Sequence, residues 1–213
     1  ILQRMRELAV QGNNDTYDAL QRESISYEIQ ELDESIFGLA NTVNGQGEYI
    51  FAGYDINTQP FARIALNDVR YDGDQGQKNI KIGASRQIPS GDNGYDVFMD
   101  TANVLGNDGS SKVSLFKVAS DLAETLLTND GPTSGPNLPI GSSPESFHQA
   151  MQRSLTNIDA ALGKILDTQA TVGARLNALE TQQGVNADFL VQVQTTMSET
   201  QDLDYATAIS RME

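Results

Sequence analysis

Cysteine is absent from all 213 residues, which removes disulfides, thiol nucleophiles and cysteine-ligated zinc and leaves the redox compartment open. Histidine occurs once, at His148, so any nucleophile–histidine–acid arrangement would have to use that one ring. Basic side chains are scarce: 14 Lys and Arg stand against 29 Asp and Glu, a formal charge of −15. Such a surface repels nucleic-acid phosphates and anionic lipid headgroups, so neither nucleic acid nor a membrane is expected as a partner. No hydrophobic run approaches the roughly 18 residues that a bilayer span requires, and the opening residues do not read as a cleavable signal peptide. With 38% hydrophobic residues the chain can still bury an ordinary core in one or two domains. The opening at Ile1, in mid-pattern and without a capping residue, reads as that of a fragment with flanking segments elsewhere.

Both ends of the chain have a helical pattern. Leu2, Met5, Leu8 and Ala9 fall on one face of a short helix, and Gly12-Asn13-Asn14-Asp15 supplies a turn and a capping candidate. From Tyr17 onward Ile25, Ile29, Leu32, Ile36, Leu39 and Val43 alternate spacings of four and three, which makes a single coiled-coil-like seam. Glu28, Glu31, Asp33 and Glu34 are read as the solvated side of this helix. Near the other end Ser143 suits an N-cap, Pro144 the first helical position, and Glu145 the positive helix end. Beyond them Leu155, Ile158, Leu162, Ile165, Val172, Leu176, Leu179, Leu190, Val193 and Met197 keep the same rhythm, interrupted at Gln169, Gln183 and Asn186. These seam residues are expected to pack within the chain and to leave part of their surface for neighbouring copies. Gly163, Gly173 and Gly184 permit either a close helix approach or a local bend.

The middle of the chain holds most of the glycines and all but one of the prolines. Its apolar period moves towards two, and strands are expected at Glu48–Ala52, Val69–Tyr71, Asn79–Ile82 and Tyr95–Met99. Turns are expected at Asp72-Gly73-Asp74, at 90–94 and at Asn107-Asp108-Gly109, with one helix over Ser111–Leu127 and a boundary loop over Thr128–Ser142. The expected fold is α+β: an elongated helical rod, an antiparallel coiled-coil-like bundle built from residues 1–53 and 143–213, with an inserted, mainly β domain with one helix at 54–142.

No active site emerges from the motifs. His148, beside Phe147 early in the last helix, reads as a surface or packing residue. Asp72-Gly73-Asp74-Gln75-Gly76 has alternating oxygen ligands but lacks the third acid and the terminal bidentate Glu of a calcium loop, so a hairpin turn is favoured. Asp92, Asp96 and Asp100 could be imagined as paired carboxylates for glycoside hydrolysis, but acids around a Gly-rich turn usually serve the turn. Gly45-Gln46-Gly47 has no helix after it to hold a phosphate. No enzyme activity, metal or cofactor is expected.

The opening Leu2-Gln3-Arg4-Met5-Arg6-Glu7-Leu8-Ala9-Val10-Gln11, the closing Asp204-Tyr205-Ala206-Thr207 and the stretch Gly173-Ala174-Arg175-Leu176-Asn177 resemble the flagellin superfamily. Within it, Gly47-Glu48-Tyr49-Ile50-Phe51-Ala52-Gly53-Tyr54, Asn57-Thr58-Gln59-Pro60-Phe61, Tyr71-Asp72-Gly73-Asp74 and Asn93-Gly94-Tyr95-Asp96-Val97-Phe98 resemble the hook-filament junction, or third hook-associated, proteins. The likeness implies a structural subunit of the bacterial flagellum, exported unfolded with a chaperone and placed outside the cell at the hook-filament junction. It implies as partners copies of the chain in a ring, the other hook-associated junction protein, and flagellin. In flagellins the matching helices carry the surface that vertebrate Toll-like receptor five recognises, and Leu2, Gln3, Arg4, Leu8 and Glu28 agree with it, although packing explains them equally well. A flagellin filament subunit is the nearest alternative; an extracellular carbohydrate-active enzyme and a helical sensor ectodomain are the distant ones.

Overall fold

The structure is a computed structural model and describes residues 1–65, 68–83, 86–103, 112–128 and 146–210, with side chains in the last helix described as far as Gln201. It is mainly helical, with a small strand-bearing insertion. Helices α1 (Leu2–Gly12) and α2 (Ala19–Ala40) come first, and α2 starts on a reciprocal capping box. The Asp18 carboxylate accepts the Gln21 N–H at 2.8 Å, while the Gln21 side chain accepts the Asp18 N–H at 3.0 Å. Then come β1 (Phe61–Ala65), β2 (Asp68–Tyr71), β3 (Asn79–Lys81), β4 (Gln87–Pro89), a π-helical turn (Tyr95–Met99), β5 (Thr101–Ala102) and β6 (Lys112–Val113). Helices α3 (Leu115–Thr128) and α4 (Phe147–Ser210) close the chain.

The chain divides into two compact units, 1–78 with 89–168, and 79–88 with 169–213. In the first unit α2 runs antiparallel to α1 and to α3. Arg4 reaches Glu28 at 2.7 Å, the Ser26 hydroxyl donates to the Ala123 carbonyl at 3.0 Å, and the Phe37 and Phe116 rings meet edge-on at 6.0 Å. The beginning of α4 lies antiparallel to α1: Arg6 pairs with Asp159 at 2.6 Å, and His148 Nδ1 is 3.2 Å from Asn13 Oδ1. Met5, Leu8, Ile25, Ile29, Ile36, Leu122, Leu126, Met151 and Ile158 fill the space between the helices.

The strand-bearing insertion has no separate core among the described residues. The Phe61 ring meets Phe98 edge-on at 5.3 Å and Phe116 at a tilt at 5.4 Å, so the insertion's apolar residues join the helical core through α3. The strands form three two-stranded antiparallel or hairpin pairs, β1–β2, β3–β4 and β5–β6, and the β1–β2 register slips between Arg63 and Ala65. The helix expected at 111–127 is α3, which begins only at Leu115 because Lys112–Val113 pair with β5 instead; its apolar face lies along α2.

Two of the expected strands are not strands. In Tyr95–Met99 the adjacent Val97 and Phe98 are both buried, which a strand with alternating faces cannot achieve against one core. The Asn93 side chain accepts the Tyr95 N–H at 2.8 Å and starts a helical turn instead. At Glu48–Ala52 the Asn44 side chain takes the N–H groups of Gln46 and Glu48, leaving only an isolated bridge between Val43 and Tyr49. β1, β4, β5 and β6 correspond to no expected strand, being short and without clear alternation. The expected cap Ser143-Pro144, the turn at Asn107-Asp108-Gly109 and most of the Thr128–Ser142 loop lie outside the described residues. The described start of α4 is capped by Ser146, whose Oγ accepts the Gln149 N–H at 3.4 Å while Gln149 Oε1 accepts the Ser146 N–H at 3.1 Å.

Candidate assembly surface

The seam residues divide into two groups. In α2, Ile25, Ile29 and Ile36 are buried and Leu32 packs against the core, whereas Leu39 and Val43 are 55% and 46% exposed. In the first part of α4, Ile158 is buried and Leu155, Leu162 and Ile165 pack against the same core. In the second part Leu179 is half-buried, while Val172, Leu176, Leu190, Val193 and Met197 lie open to solvent. The change follows from what is opposite each segment: the first is covered by α1, and the second, among the described residues, has only the β3–β4 hairpin in its own unit. That hairpin comes close at Gly83, where a Cβ would press on the Gln182 side chain. Phe189, Val185 and Val191, not singled out from the sequence, add 56–63% exposed apolar surface. They fall outside the three-four rhythm, which is why the seam pattern missed them.

Leu2, Gln3, Arg4, Leu8 and Glu28 do not form one open surface. Leu8 is buried and Leu2 packs against the core, which accounts for their apolar character. Gln3, Arg4 and Glu28 are exposed, and Arg4 bridges Glu28 and Glu7.

The polar interior serves the fold. Asp33, expected on a solvated face, is buried, and Arg63 from β1 binds its Oδ2 at 2.8 Å. Burial holds the Asp33 carboxyl above the usual carboxylate range, with Arg63 pulling the other way. Tyr71 sits at the centre of the insertion, its hydroxyl within 3.2 Å of the Phe51 and Asp74 carbonyls and Asn93 Oδ1. Burial, reinforced by the charges of Asp74 and Asp96, pushes its pKa up to about 12.

Three of the acids weighed as ligands, Asp72, Asp74 and Asp100, are engaged locally. The Asp72 carboxylate binds Arg70, Asp74 accepts the Gly76 N–H, and Asp100 pairs with Lys112. His148 pairs with Asn13 and Asp15 at the bundle's edge. Among the described residues no group of three or more histidines and acids is arranged to hold a metal ion, and no helix is long and apolar enough to cross a membrane.

Residues 1–56, comprising α1, α2 and the turn after them, match the family model described as the bacterial flagellin N-terminal helical region. The chain is 30% identical over 214 residues to flagellar hook-associated protein 3 of Escherichia coli, an alignment that takes in 98% of this chain and 64% of that protein. The chain is similar at its start to flagellins and over its whole length to hook-associated protein 3. A second similar protein, flagellar hook-associated protein 3 of Salmonella typhimurium, is 26% identical over 98% of this chain and 64% of its own length. The chain thus spans a little under two thirds of these relatives. The fold is that of a crystal structure of flagellar hook associated protein-3 from Legionella pneumophila, with a TM-score of 0.78 at 20% identity over 95% of this chain and 88% of that one.

Proposed function

We propose that the chain is part of a hook-associated junction subunit, a structural component of the bacterial flagellum that connects the hook to the flagellin filament. The observation that carries this reading is the extent of the E. coli relationship, which runs through 98% of the chain. It includes the strand-bearing middle as well as the helical ends, whereas residues 1–56 alone would suit flagellins in general. The partners in this reading are copies of the chain in a ring, the other junction protein and flagellin, with an export chaperone before assembly. The location is extracellular, and the role is mechanical rather than enzymatic. The buried helical core and the strand region anchored to it through Phe61, Phe98 and Phe116 suit a load-bearing part, since a shared core transmits strain between elements.

The test is complementation. The chain, carried within the full-length subunit, is expressed in a flagellated strain lacking its own junction protein, and filament attachment and swimming are scored. Filaments anchored to hooks are expected. Bare hooks in cells that secrete folded protein would overturn the junction role and return a filament subunit to consideration.

A further inference from the structure

An asparagine followed by glycine places a side-chain amide next to a peptide nitrogen that no side chain shields. The chain contains two such pairs, Asn44-Gly45 and Asn93-Gly94, and the fold treats them oppositely. Asn93 is buried, and the Gly94 N–H that would have to attack it donates to the Phe51 carbonyl at 3.1 Å. A Cβ on Gly94 would press on that carbonyl and on the Phe61 ring, so the peptide has no room to turn. Gly45 is exposed with open space around it, and nothing among the described residues accepts its N–H. The Asn44 side chain is folded over that same peptide: its Oδ1 accepts the Gln46 N–H at 2.9 Å and the Glu48 N–H at 3.0 Å. The backbone beneath is fixed, with the Asn44 carbonyl accepting the Gly47 N–H at 3.0 Å and the Asn44 N–H donating to the Glu48 carbonyl at 2.8 Å.

We propose that Asn44 is a site of self-modification, an asparagine that the folded chain converts to aspartate and isoaspartate with water as the only co-reactant. The Gly45 nitrogen gives its proton to hydroxide and bonds to the Asn44 side-chain carbonyl carbon. The negative charge that develops on Oδ1 is met by the Gln46 and Glu48 N–H groups already directed at it. The bond from that carbon to Nδ2 then breaks, and the nitrogen leaves as ammonia with a proton from water, which closes a five-membered imide. Water adds to one of the two imide carbonyls: opening at the side-chain carbonyl gives aspartate, and opening at the main-chain carbonyl gives isoaspartate. The sum is one water consumed and one ammonia released. Asn93 Oδ1 also accepts two hydrogen bonds, from the Tyr95 N–H and the Tyr71 hydroxyl, so the difference lies in the nitrogen, occupied at Gly94 and free at Gly45. The reaction changes the turn that follows α2. Asn44 Nδ2 donates to Glu48 Oε2 at 2.8 Å, and aspartate puts a carboxylate where that donor stood, so attraction across the turn becomes repulsion. Isoaspartate lengthens the backbone of the turn by one carbon. The chemistry needs only this turn and water, whatever the subunit assembles with.

Peptide mapping by mass spectrometry tests this on the 213-residue chain, incubated folded at mildly alkaline pH and in parallel in urea. In the folded chain Asn44 should convert faster than Asn93 by roughly ten-fold or more, and in urea the two rates should converge. Conversion should rise in proportion to hydroxide and yield isoaspartate that isoaspartyl methyltransferase labels. Gly45→Ala fits the open space at that position, so melting should be unchanged while conversion of Asn44 falls roughly ten-fold. Equal rates at the two asparagines in the folded chain would overturn the proposal, as would an Asn44 that stays intact in the folded chain and converts only in urea. Conversion that Gly45→Ala leaves unaltered would overturn it as well, since the attack would then not come from that nitrogen.

Discussion

Arg63 on β1 donates through one nitrogen, Nη2, to two neighbouring acids of α2: Asp33 at 2.8 Å and Glu34 at 2.7 Å. Its guanidinium also lies over the Phe37 ring, 4.8 Å from the centroid. This is the main ionic tie between the strand insertion and the helices, and its inner partner is a buried carboxylate. Removing one member of a buried pair leaves the other charge uncompensated, typically a loss of about 3–5 kcal/mol. Arg63→Ala is therefore expected to lower stability towards the lower end of that range, since Arg63 is itself partly exposed. Urea unfolding followed by circular dichroism measures it, and a loss under about 1 kcal/mol would refute the tie.

The same carboxylate gives a pH dependence of definite sign. Burial raises the folded-state pKa of Asp33 above its ordinary 3.8, so the folded chain holds that proton more tightly than the unfolded chain. Its contribution is fully present below the ordinary value and is lost as pH rises through the raised one. Asp33→Asn should remove this part of the stability-versus-pH curve, with stability falling less than in the parent between acid and neutral pH. Parallel curves for parent and variant would show that Asp33 titrates normally.

Tyr71 supplies a second titration at the alkaline end. With a folded-state pKa of about 12 against an ordinary 10.0, its contribution to stability is complete below 10 and is lost as pH rises towards 12. Tyr71→Phe should cost about 1–3 kcal/mol near neutral pH, because the carbonyls and the Asn93 side chain around the hydroxyl lose a donor. Ultraviolet titration of the parent should find one late-ionising tyrosine that the variant lacks.

Gly53 has φ +71°, and a Cβ there would overlap the Asp74 carbonyl oxygen. Gly53→Ala is expected to cost about 1–3 kcal/mol through backbone strain and to disturb the turn that brings Asp74 against Ala52. Chemical denaturation quantifies this; an unchanged midpoint would mean that the two segments move apart freely.

Two aspartate substitutions on the same predicted seam should now behave differently. Leu32→Asp places a carboxylate against the core and should cost several kcal/mol. Leu176 is 56% exposed, so Leu176→Asp should leave the melting of the 1–78 and 89–168 unit unchanged. Equal thermal destabilisation by both would show that Leu176 is buried within the chain.

Local rules account for much of what could be read in advance. The helical ends, the periodic faces of α2 and α4 and the helix at α3 follow from spacings of three and four, which any helix turns into a stripe. The sequence also carried the resemblance that led to the junction proteins, through the run from Gly47 to Phe61 and the opening ten residues. Short strands such as β5 and β6, two residues each, leave too little pattern to be seen. Tyr95–Met99 reads as alternation until the structure buries both Val97 and Phe98.

Periodicity by itself determined which side of each helix is apolar, because that depends only on residues a few positions apart. Tertiary structure alone decided what covers each side. Ile158 is buried because α1 lies opposite it, and Leu190 is open because no described residue of its own unit does. Asp33 read as one acid among solvated neighbours, but its burial and its bond to Arg63 depend on β1, thirty residues away. Burial is a property of the neighbours that the fold brings to a residue, and a one-dimensional pattern specifies a face without naming its partner.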